Sequence, residues 1–265
     1  MKAIATMCGK IGGGFLEPLA DHADQRLFIG CVYCGAANNL NDEHAPSRVL
    51  LDRPLPDYPA KIQACEECNR SYSLDEEYFS TIIGCALSGT TDPARQTISR
   101  VGRTLLHTPA LRASIEASRV ETSGGTSFVP VRSRIDRVVL KLARSHVAYE
   151  SSVPQPTEPR LLQWKPLSTL SQAEQEAWEE PEFIGLIDEI GSRASQRQIV
   201  VQAMGVSSSG DHVPFAFLMN DWIEVQEGVY RYHVSVSERC VRARMVVREY
   251  LACEVVWDQE AIASV

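Results

Sequence analysis

No stretch of the 265 residues approaches the twenty consecutive apolar side chains that a membrane-spanning helix needs. The short apolar run after Lys2 is broken at Gly9-Lys10, so no secretory leader is expected. Positive charge is also scarce. A net charge of −8 argues against a general nucleic-acid coat. Gly12-Gly13-Gly14 follows Lys10, whereas a phosphate-cradling loop places its glycines before Lys and then Ser or Thr. Residues 1–27 therefore read as a flexible leader, with His22 between Asp21 and Asp24 a solvated turn histidine. These absences leave a chain with no membrane partner, expected in a reducing cytoplasm. Its 44% hydrophobic content can fill one large core or two or three small ones.

Cysteine is plentiful. Of eight, Cys8, Cys85, Cys240 and Cys253 are scattered and read as buried or free, while four form two CxxC pairs, Cys31/Cys34 and Cys65/Cys68. Two such knuckles supply the four thiolates of a tetrahedral zinc site. The thirty residues between them exceed the spacing of a compact zinc ribbon and carry Asp42-Glu43-His44. Asn69 follows the second pair directly.

An acid-His dipeptide between two CxxC pairs, with Asn abutting the second, resembles the HNH endonucleases, the ββα-metal or His-Me finger nucleases, in their zinc-bearing four-Cys, endonuclease VII-like branch. CVYCG from Cys31, EHAPS from Glu43, CEECN from Cys65 and DEEYF from Asp75 are similar to a bacterial group of these proteins. The likeness covers roughly residues 28–90. It implies a structural zinc on Cys31, Cys34, Cys65 and Cys68, a catalytic Mg²⁺ or Mn²⁺ held by Glu43 and Asn69, and His44 as general base. It also implies phosphodiester hydrolysis leaving 5′-phosphate and 3′-hydroxyl ends, with double-stranded DNA as the expected partner and RNA as a further substrate class. Two departures stand out. The acid is Glu43 where Asp is commoner, and the middle Asn has no counterpart between Leu51 and Cys65, Gln63 being the nearest amide. A non-catalytic zinc module binding nucleic acid or protein explains the cysteines but leaves Glu43, His44 and Asn69 without a role.

The fold expected is α+β. It comprises a zinc-stapled ββα unit (28–90), a basic helical region (91–150), a Pro-rich linker (151–166) and an acidic, antiparallel β-rich domain (167–265) open to a protein partner or a second copy. Leu27 to Val32 reads as a strand, the proline-rich 45–60 as a loop, and Glu66 to about Ser80 as a helix with Tyr72, Tyr78 and Phe79 inward. Asp75-Glu76-Glu77 reads as an exposed acidic face, although it lies within reach of a metal site. Asp92 to Glu150 holds ten Lys and Arg against five Asp and Glu. Asp92-Pro93 signals a helix start, with Ile98, Val101 and Leu105 on one face and Arg100 and Arg103 opposite. A clearer helix runs from Ser133 to about Tyr149. Its stripe is Ile135, Val138, Val139 and Leu142, with His146 as a core histidine. Arg134, Arg137, Lys141 and Arg144 line another side, either as a solvated face or as phosphate contacts. In the acidic half a hairpin, Trp222–Val225 and Val229–Val236, is followed by strands Cys240–Arg248 and Leu251–Trp257, with one wet face carrying arginines.

Overall fold

The computed structural model describes residues 30–57, 60–122, 125–180, 182–184, 193, 199–207, 209–237 and 239–258. The leader over 1–27, Cys8, and most of the strand expected from Leu27 lie outside the described residues. Within that strand, residues 30–32 enter a turn rather than a strand.

Among the described residues the first regular element is an antiparallel hairpin, β1 (Leu40–Ala45) and β2 (Ala60–Cys65), pairing Glu43 with Ile62 and His44 with Lys61. The loop between holds a 3₁₀ turn over Arg48–Leu50. Helix α1 (Glu66–Ser88) follows without a gap. Glu66 and Glu67 sit in its first turn, where the positive end of the helix dipole favours them. Gly89 ends it in the left-handed region at φ 66°, donating its N–H to the Cys85 carbonyl. The sequence thus yields hairpin and then helix, with the helix two turns longer than expected.

Asp92 caps only a 3₁₀ turn, Pro93–Arg95. The Gln96 amide donates to the carbonyls of Thr90 (2.7 Å) and Asp92 (3.2 Å), which closes that turn on itself. Regular helix therefore starts later, as α2 (Ser99–His107), then α3 (Pro109–Glu116). A small hairpin, β3 (Arg119–Thr122) and β4 (Gly125–Phe128), leads into α4 (Arg132–Ser151). Beyond it come β5 (Leu161–Pro166), α5 (Gln172–Glu179), β6 (Glu182–Ile184), β7 (Ile199–Val206) and β8 (His212–Asn220). The chain closes with β9 (Ile223–Gln226), β10 (Tyr230–Val236), β11 (Cys240–Val247) and β12 (Leu251–Asp258). A five-stranded antiparallel sheet runs in the order β5-β12-β11-β10-β9, and a three-stranded one in the order β6-β8-β7. The end of the expected Pro-rich linker is thus an edge strand, β5, on β12.

One continuous core joins the parts. Tyr78, Phe79 and Ile82 of α1, Val101 and Leu105 of α2, and Ile135, Val138, Val139 and Leu142 of α4 pack with Tyr230, Tyr232, Met245, Val255 and Trp257 of the large sheet. His146 is fully buried among them, its Nε2 2.8 Å from the Tyr230 hydroxyl and its ring stacked on Tyr232. Burial holds its pKa down at about 3, so it is a neutral core histidine. The outer face of the sheet is not uniformly wet. Trp178 of α5 packs on Val246 and Ala252, with Leu167 and Trp222 beside them. The arginines of that face are paired: Arg244 with Glu254, Arg231 with Glu179 and Glu249, and Arg248 with Asp52.

Candidate functional site

The first CxxC pair occupies a tight turn. Gly35 N–H donates to the Cys31 carbonyl (2.7 Å) and Cys31 N–H to Ala36 (2.8 Å). Gly35 lies at φ 76°, where a side chain would strain the backbone. Val32 N–H donates to the Gln63 carbonyl at 3.0 Å, which lays this turn along β2. Cys65 ends β2 and caps α1, its sulfur accepting the Cys68 N–H at 3.4 Å. The four sulfurs consequently lie within 4.8 Å of one another, with Cys34 and Cys65 3.8 Å apart. An ion at the centre of four Zn–S bonds of about 2.3 Å needs sulfurs about 3.8 Å apart, so the donor set fits a zinc-sized tetrahedral ion. Burial would raise the Cys31 thiol, but backbone groups of Cys65, Tyr33 and Cys34 outweigh it and bring it down to about 7. Burial and the neighbouring sulfurs push Cys68 upward. This cluster rests on Val32, Tyr33, Ile62 and Ala148 of α4.

Successive strand residues face opposite sides of a hairpin, so Glu43 and His44 diverge. Glu43 turns toward α1 and α4. There the Lys141 ammonium, 1% exposed, lies 2.7 Å from Glu43 Oε1, 2.6 Å from Glu76 Oε1 and 3.0 Å from Ser47 Oγ. Ser47 also donates to Glu76, and the Tyr72 ring lies beneath the ammonium at 5.3 Å. Two carboxylates against one ammonium leave a negative charge in excess, with oxygen donors of the kind a hard cation takes. His44 meets Arg48, whose guanidinium donates to Nε2. Burial first, and Arg48 second, lower the imidazole pKa, so the ring is neutral near pH 7. Its Nδ1 is buried without a hydrogen-bond partner among the described residues. The turn after β1 therefore touches both members of the dipeptide, Ser47 reaching Glu43 and Arg48 reaching His44.

Asn69 is half-buried on the first turns of α1, seven residues before Glu76 and hence on the same helix face. The α1 side chain bridged to Glu43 is Glu76. Asp75 and Glu76 are not the exposed acidic face expected from sequence, because each meets a base from α4. Arg134 and Arg137 both bind Asp75 (2.6 and 2.8 Å) and lie over the rings of Tyr78 and Tyr72. Arg144 turns to the carbonyls of Pro156 and Thr157 and to Glu158. The basic row is thus a set of internal contacts, and Lys141 and Arg144 are buried. Sequence spacing missed Ser47 and Arg48, and favoured an exposed face for Glu76 while placing it within reach of a metal site. A signal for Glu76 existed in its two-turn offset from Asn69.

Fold and site together define a mixed α and β chain with antiparallel sheets, a β-rich C-terminal region and a four-cysteine cluster able to hold a metal ion. No helix among the described residues is long and apolar enough to cross a membrane. No family model matches the chain, and no curated protein or solved structure is similar to it beyond chance.

Proposed function

We propose that residues 31–88 form an HNH-type endonuclease unit, zinc-stapled and dependent on Mg²⁺ or Mn²⁺, that hydrolyses phosphodiester bonds of nucleic acid, with duplex DNA as the favoured substrate. The observation that carries this reading is the order of parts. An acid-His pair lies on the first strand of a hairpin, and the helix after the second strand begins at the four-thiol cluster with Asn69 in its opening turns. Cys31, Cys34, Cys65 and Cys68 would hold zinc with no position left open, so that ion pins hairpin to helix. Glu43 and Asn69 would hold the catalytic cation, whose chemistry when bound is to polarise the scissile phosphate and relieve charge on the departing 3′ oxygen. His44 takes the proton of the attacking water, a task its neutral ring suits near pH 7. Lys141 holds the Glu43 carboxylate through Oε1, leaving its second oxygen uncommitted to the ammonium. Arg48 donates to the Nε2 lone pair, so that bond must open before Nε2 can accept the water's proton.

A second reading, a non-catalytic zinc module that binds nucleic acid or protein, is favoured by one contact: the ammonium already seated against Glu43. Cleavage assays on plasmid, single strands and RNA, with and without Mg²⁺ or Mn²⁺, separate the two. The nuclease reading expects metal-dependent cutting and a roughly 10²–10⁴-fold lower rate in His44→Ala, with zinc and fold retained. Glu43→Ala and Asn69→Ala should recover part of their rate as Mg²⁺ or Mn²⁺ is raised. Absence of metal-dependent cutting on every substrate would favour the binding module, and a His44→Ala variant that cuts as fast as wild type would refute the HNH assignment of this site.

A further inference from the structure

The internal pairing of the α4 row raises the question of where a polyanion would sit. Of the ten basic residues between Asp92 and Glu150, Arg119, Arg132, Arg134, Arg137, Lys141 and Arg144 are held in ion pairs. Among the described residues the other four, Arg95, Arg100, Arg103 and Arg112, have no such partner, and Arg100 and Arg103 are the two that share one groove. They project from α2 opposite its buried Val101 and Leu105, one helical turn apart, into a groove of about 890 Å³. Arg53, from the loop after β1, and His107 also line it. The groove contains two carboxylates. Asp52 is neutralised by Arg248 through two bonds of 2.7 and 2.9 Å. Among the described residues that leaves Glu77 as the single unpaired acid of the groove against three unpaired arginines. The first turn of α2 also borders the groove through Thr97, Ile98 and Ser99. Its capping residue, Ile98, has no polar side chain to take up the N–H groups there. Finally, Arg100 donates to the Arg48 carbonyl at 3.3 Å, and Arg48 is the residue on His44. One residue, Arg48, thus touches both an arginine of the groove and the imidazole.

We infer that this groove, lined by Arg53, Arg100 and Arg103, binds the phosphodiester backbone of a nucleic-acid strand beside the turn whose Arg48 meets His44. The inference deepens the nuclease reading and rests on it for the use made of that strand, while the binding itself does not require cleavage. Three exposed arginines facing one acid favour a ligand with repeated negative charge. A volume well beyond one phosphate favours a strand over a free anion. The groove has few apolar walls to recognise bases, so contacts here fix position rather than sequence.

Fluorescence anisotropy with short labelled DNA and RNA duplexes, across a salt series and without added Mg²⁺ or Mn²⁺, tests this. Wild type should bind with an affinity that falls steeply with salt. The double variant Arg100→Gln/Arg103→Gln should flatten the log–log slope by about 1.8 on DNA, roughly 0.9 for each phosphate that is no longer neutralised. Thr97→Glu, which adds a negative charge at the groove wall, should weaken binding with the arginines intact. His44→Ala should bind as wild type. A slope change on both duplexes assigns the shared backbone, and a change on one alone assigns that polymer. An unchanged slope in the double variant, or unchanged affinity in Thr97→Glu, overturns the groove, as does a wild type that binds neither duplex. Arginine-dependent binding without cleavage would keep the groove and sink the nuclease reading. Full-rate cleavage by the double variant would do the reverse.

Discussion

Replacing Lys141 by Met would leave Glu43 and Glu76 facing each other where little water reaches, since their side chains are 12% and 10% exposed. Breaking a buried pair from one side typically costs about 3–5 kcal/mol, because the remaining charge is stranded. Urea unfolding of Lys141→Met should show a loss of that order, and adding Glu76→Gln should recover part of it by removing one of the opposed charges. A loss below about 1 kcal/mol would mean that solvent already screens the pair. Sequence placed Lys141 correctly in angle, at i+7 from Arg134, but not in environment. Helical spacing states which residues share a side, while what covers that side is decided by Asp75 and Glu76 on α1, two residues that spacing alone reads as a solvated acidic face. His146 was legible because an imidazole among four aliphatic residues at helical spacing has only the core to enter.

The hairpin and α1 were legible as elements because the second CxxC pair is at once a strand end, a helix cap and half of the four-thiol cluster. That triple duty yields a test. Purified protein should carry about one zinc per chain, and Cys65→Ser and Cys68→Ser should both lose it and lower the melting temperature, since metal binding at such a site is folding free energy. Cys65→Ser should retain a hydroxyl able to cap α1, so the two variants should unfold alike if the metal dominates. A chelated, zinc-free protein with an unchanged melting temperature would remove the structural role of the ion. Elsewhere local signals gave the element and missed its edges. Asp92-Pro93 announced a helix, but Gln96 folds back on the carbonyls of Thr90 and Asp92, six and four residues away, a contact that capping rules do not include. Residues 151–166 read as linker for their prolines, but β12 offers an open edge and β5 takes it with residues 161–166.

At the scale of the whole chain, the division into a nuclease-like unit and a separate β-rich domain does not hold for the core. Tyr78 and Phe79 of α1 share one apolar cluster with Tyr230, Tyr232 and Trp257. The large sheet also grips the loop after β1 directly. Arg248 binds Asp52, and the Gln226 side chain accepts the Asp52 N–H (2.8 Å) and donates to the carbonyls of Asp52 and Pro54. A fragment ending at residue 160 should accordingly fail to unfold cooperatively and should expose apolar surface. Near-ultraviolet circular dichroism and dye binding would check this, and a sharp, two-state melt of the fragment would refute it. Sequence could not show the sharing, because an amphipathic helix and an alternating strand each announce an apolar face without naming the face they meet.

That shared core sets a clock on synthesis. Helix α1 is complete at Ser88, and the strand that gives it Tyr230 and Tyr232 starts 142 residues later. At elongation rates of about 5–20 residues per second, the interval is about 7–30 s. Through it, the four-thiol turn can close and α4 can settle on it through Ala148, but the inner faces of α1 and α4 still await the sheet that will cover them.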